Sequence, residues 1–175
     1  DYCSPSNYLS PMHATLYQNN GNGTFTDISS DSGISMHKAT GLGVTVLDFN
    51  QDGFQDLFVA NDGMPDYLWR NNGNNTFSEI GRLTGCNLDN DGSAKAGMGV
   101  TSADLDDDGD FEIYVCNMMG ESDSVFENHG EYFIDVTNKF GLKAVSRIRT
   151  RFGIGLKDFN NDGFLDLFEA NGKIA

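Results

Sequence analysis

The sequence predicts an all-β protein, a β-propeller-like array of four-stranded antiparallel blades with about three repeats and a blade split between the termini. Three observations predict it: segments that recur along the chain, apolar runs of four to six residues bounded by Asn, Asp and Gly, and 21 glycines in 175 residues, which disfavour helix. One segment occurs as GLGVTVLDFNQDGFQDLFVAN from Gly41, GMGVTSADLDDDGDFEIYVCN from Gly97 and RFGIGLKDFNNDGFLDLFEAN from Arg151. A second occurs as LYQNNGNGTFTDIS from Leu16, LWRNNGNNTFSEIG from Leu68 and VFENHGEYFIDVTN from Val125. Each reads as a β-hairpin, because β-branched and aromatic runs flank turn formers. Two hairpins make the four strands of one propeller blade.

In the first half of a repeat, Val44 to Leu47 enters and Leu57 to Ala60 leaves, with an acidic loop between them. In the second half, Tyr67 to Arg70 and Thr76 to Ile80 flank Asn71-Asn72-Gly73-Asn74. The chain therefore divides into an N-terminal segment 1–13, an orphan second half-blade 14–40, repeats at 41–96 and 97–150, and an orphan first half-blade 151–175, all within one domain. An unpaired hairpin at each end exposes sheet edges. Three arrangements resolve this: the chain is a fragment of a larger propeller, its ends pair within a small ring, or the terminal half of one copy completes the blade of the next. The last is a head-to-tail contact. Beginning at Asp1 without methionine, the chain reads as a processed or excised piece of a longer precursor.

Eleven Lys and Arg stand against 26 Asp and Glu, a formal charge of −15. That excludes a nucleic-acid binder, whose affinity comes from neutralising phosphates, and argues against docking on an anionic membrane. With 38% hydrophobic residues and 13 Phe, the chain is nevertheless of a composition that folds. No apolar run reaches the ~18 residues of a membrane span, so no membrane insertion is expected. Cys3, Cys86 and Cys116 form no zinc pattern; a Cys3 to Cys86 disulfide and a buried Cys116 thiol are the expected states.

Each first half carries D-x-[DN]-x-D-G-x-x-[DE]: Asp48, Asn50, Asp52, Gly53, Asp56; Asp104, Asp106, Asp108, Gly109, Glu112; Asp158, Asn160, Asp162, Gly163, Asp166. Calcium needs six to eight oxygens. Side-chain oxygens at positions 1, 3, 5 and 9 can wrap one point, with Gly at position 6 giving the sharp turn. The backbone carbonyls of Phe54, Asp110 and Phe164 at position 7 add a further ligand each. Mg²⁺ fits less well, since it rarely uses all-protein cages. A helix-flanked calcium hand would need Glu at position 12, where Val59, Val115 and Glu169 stand, so two of three loops fail.

These residues resemble the FG-GAP or VCBS repeats, which form β-propellers such as the N-terminal head of integrin α subunits and hold calcium between the first two strands of a blade. Gly43, Gly99 and Phe152-Gly153 occupy the place of that family's Phe-Gly signature, and the acidic loops match its calcium loop, with Glu112 as the departure at position 9. The pattern VANDGMPDYLWRNNGNNTF followed by AGMGV is similar to secreted bacterial proteins related to cartilage acidic protein. The resemblance covers residues 14–175 and implies a secreted or cell-surface location and about three Ca²⁺ per chain.

Asn22-Gly23-Thr24 and Asn74-Asn75-Thr76 are sequons at equivalent turns, read chiefly as turn chemistry. His13, His37 and His129 fall at different repeat positions and build no triad. The loops Asn61-Asp62-Gly63-Met64-Pro65-Asp66 and Met118-Met119-Gly120-Glu121 are candidate partner surfaces, as displayed loops often are; Trp69 and Tyr114 read as sheet-packing aromatics. The expected function is an extracellular calcium-binding module with a binding or adhesion role, toward an unspecified protein or glycan, and no catalysis. The alternatives are a subunit polymerising head-to-tail through its split blade, and a non-catalytic scaffold of a secreted hydrolase.

Overall fold

The computed structural model describes residues 11–173. The described residues open with β1 (Met12–His13), a hairpin of β2 (Tyr17–Asn19) and β3 (Phe25–Asp27), and β4 (Lys38–Ala39), which returns to pair with β1. A four-stranded meander follows: β5 (Gly41–Leu47), β6 (Asp56–Asn61), β7 (Tyr67–Asn71) and β8 (Phe77–Glu79). After the short helix α1 (Gly81–Thr84) comes a second meander of β9 (Gly99–Ala103), β10 (Glu112–Cys116), β11 (Ser124–Asn128) and β12 (Phe133–Asp135). The helix α2 (Leu142–Val145) then leads to a long hairpin of β13 (Thr150–Lys157) and β14 (Asp166–Gly172). Every strand pair among the described residues is antiparallel.

The second meander is apolar on both faces because it lies between two neighbours. Leu47, Phe58 and Leu68 of the first meander pack against Ile113, Phe126 and Phe133 of the second. The Phe58 and Phe126 rings sit 6.4 Å apart and those of Phe49 and Phe133 6.1 Å, within the range of favourable tilted pairs. The second meander in turn meets the last hairpin through Tyr114, Cys116 and Val125 against Ile154 and Leu156. The sheets thus stand in sequence order, with β2–β3 on one flank and β13–β14 on the other.

The first strands of successive sheets touch where glycine allows it. A Cβ on Gly43 would lie 3.3 Å from the Val100 nitrogen, and one on Gly99 would run into the Phe152 carbonyl. These are the glycines at the repeated Gly-Val and Phe-Gly positions, so their spacing sets the approach of one sheet to the next. Thr45 Oγ1 and Ser102 Oγ, 3.0 Å apart, tie the same two strands farther along.

Several local expectations are corrected. The entering strand begins at Gly41 rather than Val44, with a register shift between Gly41 and Gly43, and the outermost strand is shorter, Phe77–Glu79. The helix-poor reading missed α1, α2 and the 3₁₀ turns Ile34–Met36 and Ser146–Ile148, each too short to leave a 3.6-residue period. The β1–β4 ladder was also not expected. Cys86 and Cys116 are buried free thiols; Cys3, the expected partner of Cys86, lies outside the described residues. No helix among the described residues is long and apolar enough to cross a membrane.

Candidate metal centres in the acidic loops

The three acidic loops join β5 to β6, β9 to β10 and β13 to β14, and they fold alike. In the first, Asp48 accepts from the Asp52 amide through Oδ1 at 3.0 Å and from the Gly53 amide through Oδ2 at 2.9 Å. Asp104 does the same with Asp108 and Gly109 at 3.2 and 3.1 Å, and Asp158 with Asp162 and Gly163 at 3.1 and 2.9 Å. Position 5 accepts from the amide of position 7 each time: Phe54 to Asp52 at 2.9 Å, Asp110 to Asp108 at 3.1 Å, Phe164 to Asp162 at 2.9 Å. Asn50 and Asn160 both donate Nδ2 to the position 5 carboxylate at 2.9 Å. The glycine at position 6 has φ of 87, 97 and 93° at Gly53, Gly109 and Gly163. Position 4 is left-handed too, with Gln51, Asp107 and Asn161 at 56, 61 and 62°. Asp and Asn tolerate that region; Gln51 is the strained member.

The position 9 acid has a second task. Asp56 accepts the Phe49 amide at 3.2 Å and the Asn71 amide at 2.7 Å, so it fastens the loop to the third strand of its sheet. Glu112 accepts Leu105 at 2.6 Å and Asp166 accepts Phe159 at 2.9 Å. The longer side chain of Glu112 therefore reaches the same place as Asp in the other loops.

The second loop concentrates the charge. Acceptor atoms of Asp104, Asp106 and Asp108 lie within 4.8 Å of one another, as do those of Asp108, Asp110 and Glu112. Burial, reinforced by Asp106 and Asp110, pushes Glu112 up to about 7. Asp110 and Asp106 are also raised, by burial and then by Asp108. Two buried oxygens, Asp110 Oδ1 and Glu112 Oε1, have no hydrogen-bond partner. Orphaned acceptors amid like charge are what a bound divalent cation would satisfy, so the donor set fits Ca²⁺. Asp110, expected to offer only its carbonyl, brings its carboxylate to the cluster as well. At the rim Lys139 pairs with Glu127 at 2.6 Å and approaches Asp106 at 3.9 Å.

Other expected features are placed differently. Asn61 and Asp66 close a corner between β6 and β7: the Asn61 amide donates to Asp66 at 2.8 Å and its Nδ2 to the Pro65 carbonyl at 2.7 Å. Asn117 repeats this with Asp123 at 3.2 Å and Ser122 at 2.9 Å. Burial raises Asp66 to about 8. These loops are structural corners with inward acids, although Met119 is exposed. Asn22 and Asn74 accept from the amide and hydroxyl of Thr24 and Thr76, which is turn chemistry. Trp69 and Tyr114 are buried. His13 and His37 line one groove, with His37 against Trp69, whereas His129 stacks on Tyr132.

A buried ionic cluster that the repeat pattern does not announce lies where the last hairpin meets the second sheet. Arg151, 1% exposed, contacts Asp123 Oδ1 at 2.6 Å and lies 3.8 Å from Glu169. The Tyr114 oxygen sits 2.8 Å from Asp123 and 3.1 Å from Glu169. One hydroxyl proton cannot serve two carboxylates, so the geometry favours a proton on Glu169; burial, then Asp123, raises its pKa to about 7. The available signal was that Arg151 stands where the other repeats have Gly41 and Gly97, and Glu169 where they have Val59 and Val115. A carboxyl raised from its ordinary 4.5 to about 7 holds more protons folded than unfolded between those values. Stability from this group is complete below about 4.5 and falls as pH rises toward 7. In saturating calcium, the wild-type urea midpoint should therefore decline over this range more steeply than that of Glu169→Gln; equal slopes would refute the assignment.

Antiparallel hairpins in series, each first hairpin ending in the same nine-residue acidic loop, define a repeat protein of the acidic-loop β class. The chain belongs to the FG-GAP-like repeat family, whose sequence model matches residues 6–59 and 48–115. Its relatives include cartilage acidic protein 1 of Homo sapiens, 30% identical over 173 residues, and of Xenopus tropicalis, 29% identical over 173. The Mus musculus protein is 27% identical over 165 residues. These alignments cover 90% of this chain but 24% of the human protein and 25% of each of the other two. The chain thus spans about a quarter of the length of these relatives.

Proposed function

We propose that the chain is a calcium-stabilised, β-propeller-type module of an extracellular protein, with a binding or adhesion role and no catalysis of its own. Its four-stranded meanders are then blades and the flanking hairpins are half-blades. The observation that carries this reading is one loop geometry built three times, with orphaned carboxylate oxygens in the most acidic copy. Asp48, Asn50, Asp52, Asp56 and the Phe54 carbonyl would hold the first Ca²⁺. Asp104, Asp106, Asp108, Glu112 and Asp110 would hold the second, and Asp158, Asn160, Asp162, Asp166 and the Phe164 carbonyl the third. Calcium sites of extracellular modules have Kd of about 10⁻⁴–10⁻³ M and fill outside a cell. The names of the relatives, cartilage acidic protein 1, agree with the acidic composition. Replacing Asp108, which belongs to both halves of the second cluster, is the direct test. Asp108→Ala should lose one of the calcium ions the wild type takes up in isothermal titration, with the circular dichroism of the sheets retained; an unchanged stoichiometry would remove the second site.

A further inference from the structure

The second acidic loop departs from the other two at positions 3 and 7. Asp106 and Asp110 stand there, where the first loop has Asn50 and Phe54 and the third has Asn160 and Phe164. The turn itself does not require the Asp110 side chain, because the Phe54 and Phe164 amides make the same bond to position 5 as the Asp110 amide does. With Asp104, Asp108 and Glu112, the second loop brings five carboxylates, against three in each of its neighbours.

It also holds oxygens in reserve. In the first loop the position 9 acid gives both oxygens to the backbone: Asp56 Oδ2 accepts the Phe49 amide at 3.2 Å and Oδ1 the Asn71 amide at 2.7 Å. Glu112, 1% exposed, accepts the Leu105 amide through Oε2 at 2.6 Å and leaves Oε1 without a partner. Asp110 Oδ1 is buried and unpartnered as well. A buried carboxylate oxygen with no donor is costly, and a cation removes that cost. Acceptor atoms of Asp108, Asp110 and Glu112 lie within 4.8 Å of one another. Oxygens on opposite sides of one Ca²⁺ are about 4.6–5.2 Å apart, twice the usual Ca–O distance, so the triad is compact enough to share an ion. Lys139 does not take that place: it approaches Asp106 at 3.9 Å, and its closer partner is Glu127 at 2.6 Å.

The same loop is braced by its neighbour, since Gln51 Nε2 of the first loop donates to the Gly109 carbonyl at 3.2 Å. Ligand charge and site rigidity are the two properties that tune the affinity of a calcium loop, and both favour this copy.

We propose that the second loop is the high-affinity calcium site of the chain, with the Asp110 carboxylate as a ligand that the other two loops lack. It fills first as calcium rises, and as calcium falls it stays loaded while the Asp48 and Asp158 loops empty. The proposal rests on the calcium reading given above and adds to it an order of filling and the residue that sets it.

Isothermal titration of the metal-free chain with CaCl₂ tests this with three proteins: the wild type, Asp110→Asn, and Asp48→Ala combined with Asp158→Ala. The wild type should show a first step of one ion, about tenfold tighter than the two that follow. Asp110→Asn should weaken that step about tenfold, into the range of the others, with the total still three ions per chain. The double variant should keep the tight step and lose the weaker ones. Three equal affinities in the wild type, or a tight step that Asp110→Asn leaves unchanged, would overturn the proposal while the calcium reading stands. No saturable binding in any of the three would overturn both.

Discussion

Chelating calcium should lower the melting temperature of the chain by about 10 °C. At free Ca²⁺ tenfold above Kd each site contributes about 1.4 kcal/mol, so three give about 4 kcal/mol. For a chain of this size each kcal/mol corresponds to about 2–4 °C. The physical source is relief of repulsion: in the second loop, burial and neighbouring acids raise Glu112, Asp106 and Asp110 together. Loop amides also donate to Asp48, Asp104 and Asp158 and fix their carboxylates. The loops should therefore keep their shape on chelation while losing stability. Differential scanning calorimetry in EDTA and in millimolar calcium checks this, and superimposable melts would contradict it.

Arg151→Ala should cost about 3–5 kcal/mol, the usual effect of removing one partner from a buried ion pair. The guanidinium contacts the fully buried Asp123 and also donates to the Arg149 carbonyl at 2.7 Å. Its removal leaves Asp123 with Tyr114 and Asn117 as donors and no cation. Such a loss is a large part of the 5–15 kcal/mol typical of a domain. Arg151→Gly combined with Glu169→Val restores the residue types of the other two repeats and should recover much of the stability. Urea denaturation measures both; a loss below about 1 kcal/mol in the single variant would show that the pair is not what fastens the last hairpin.

Much of the architecture is legible in the sequence because the repeat displays it three times. The acidic spacing locates the loops, and Gly53, Gly109 and Gly163 fall where the backbone is left-handed. The Asn-x-Gly turns at Asn71 and Asn128 mark the second hairpins, where each side chain accepts the glycine amide two residues on. What escapes is whatever depends on long-range contact. Asp66 and Asp123 look like loop acids but turn inward to close corners. Arg151 and Glu169 break the repeat 18 residues apart and become a pair only when β13 and β14 align around Asp123. Helix α1 is a single turn whose C-cap, Gly85, is left-handed at φ 81°, too short for any periodicity to reveal. The left-handed residue at position 4 was also hidden, since Gln51, Asp107 and Asn161 share no chemistry that announces it.

The proposed calcium sites are the three acidic loops. Isothermal titration of the metal-free wild-type chain with CaCl₂ tests them most directly. Saturable binding of three ions per chain is expected, one for each loop at Asp48, Asp104 and Asp158, with Kd on the order of 10⁻³ M or tighter. No saturable heat and no bound ion at millimolar calcium would contradict it.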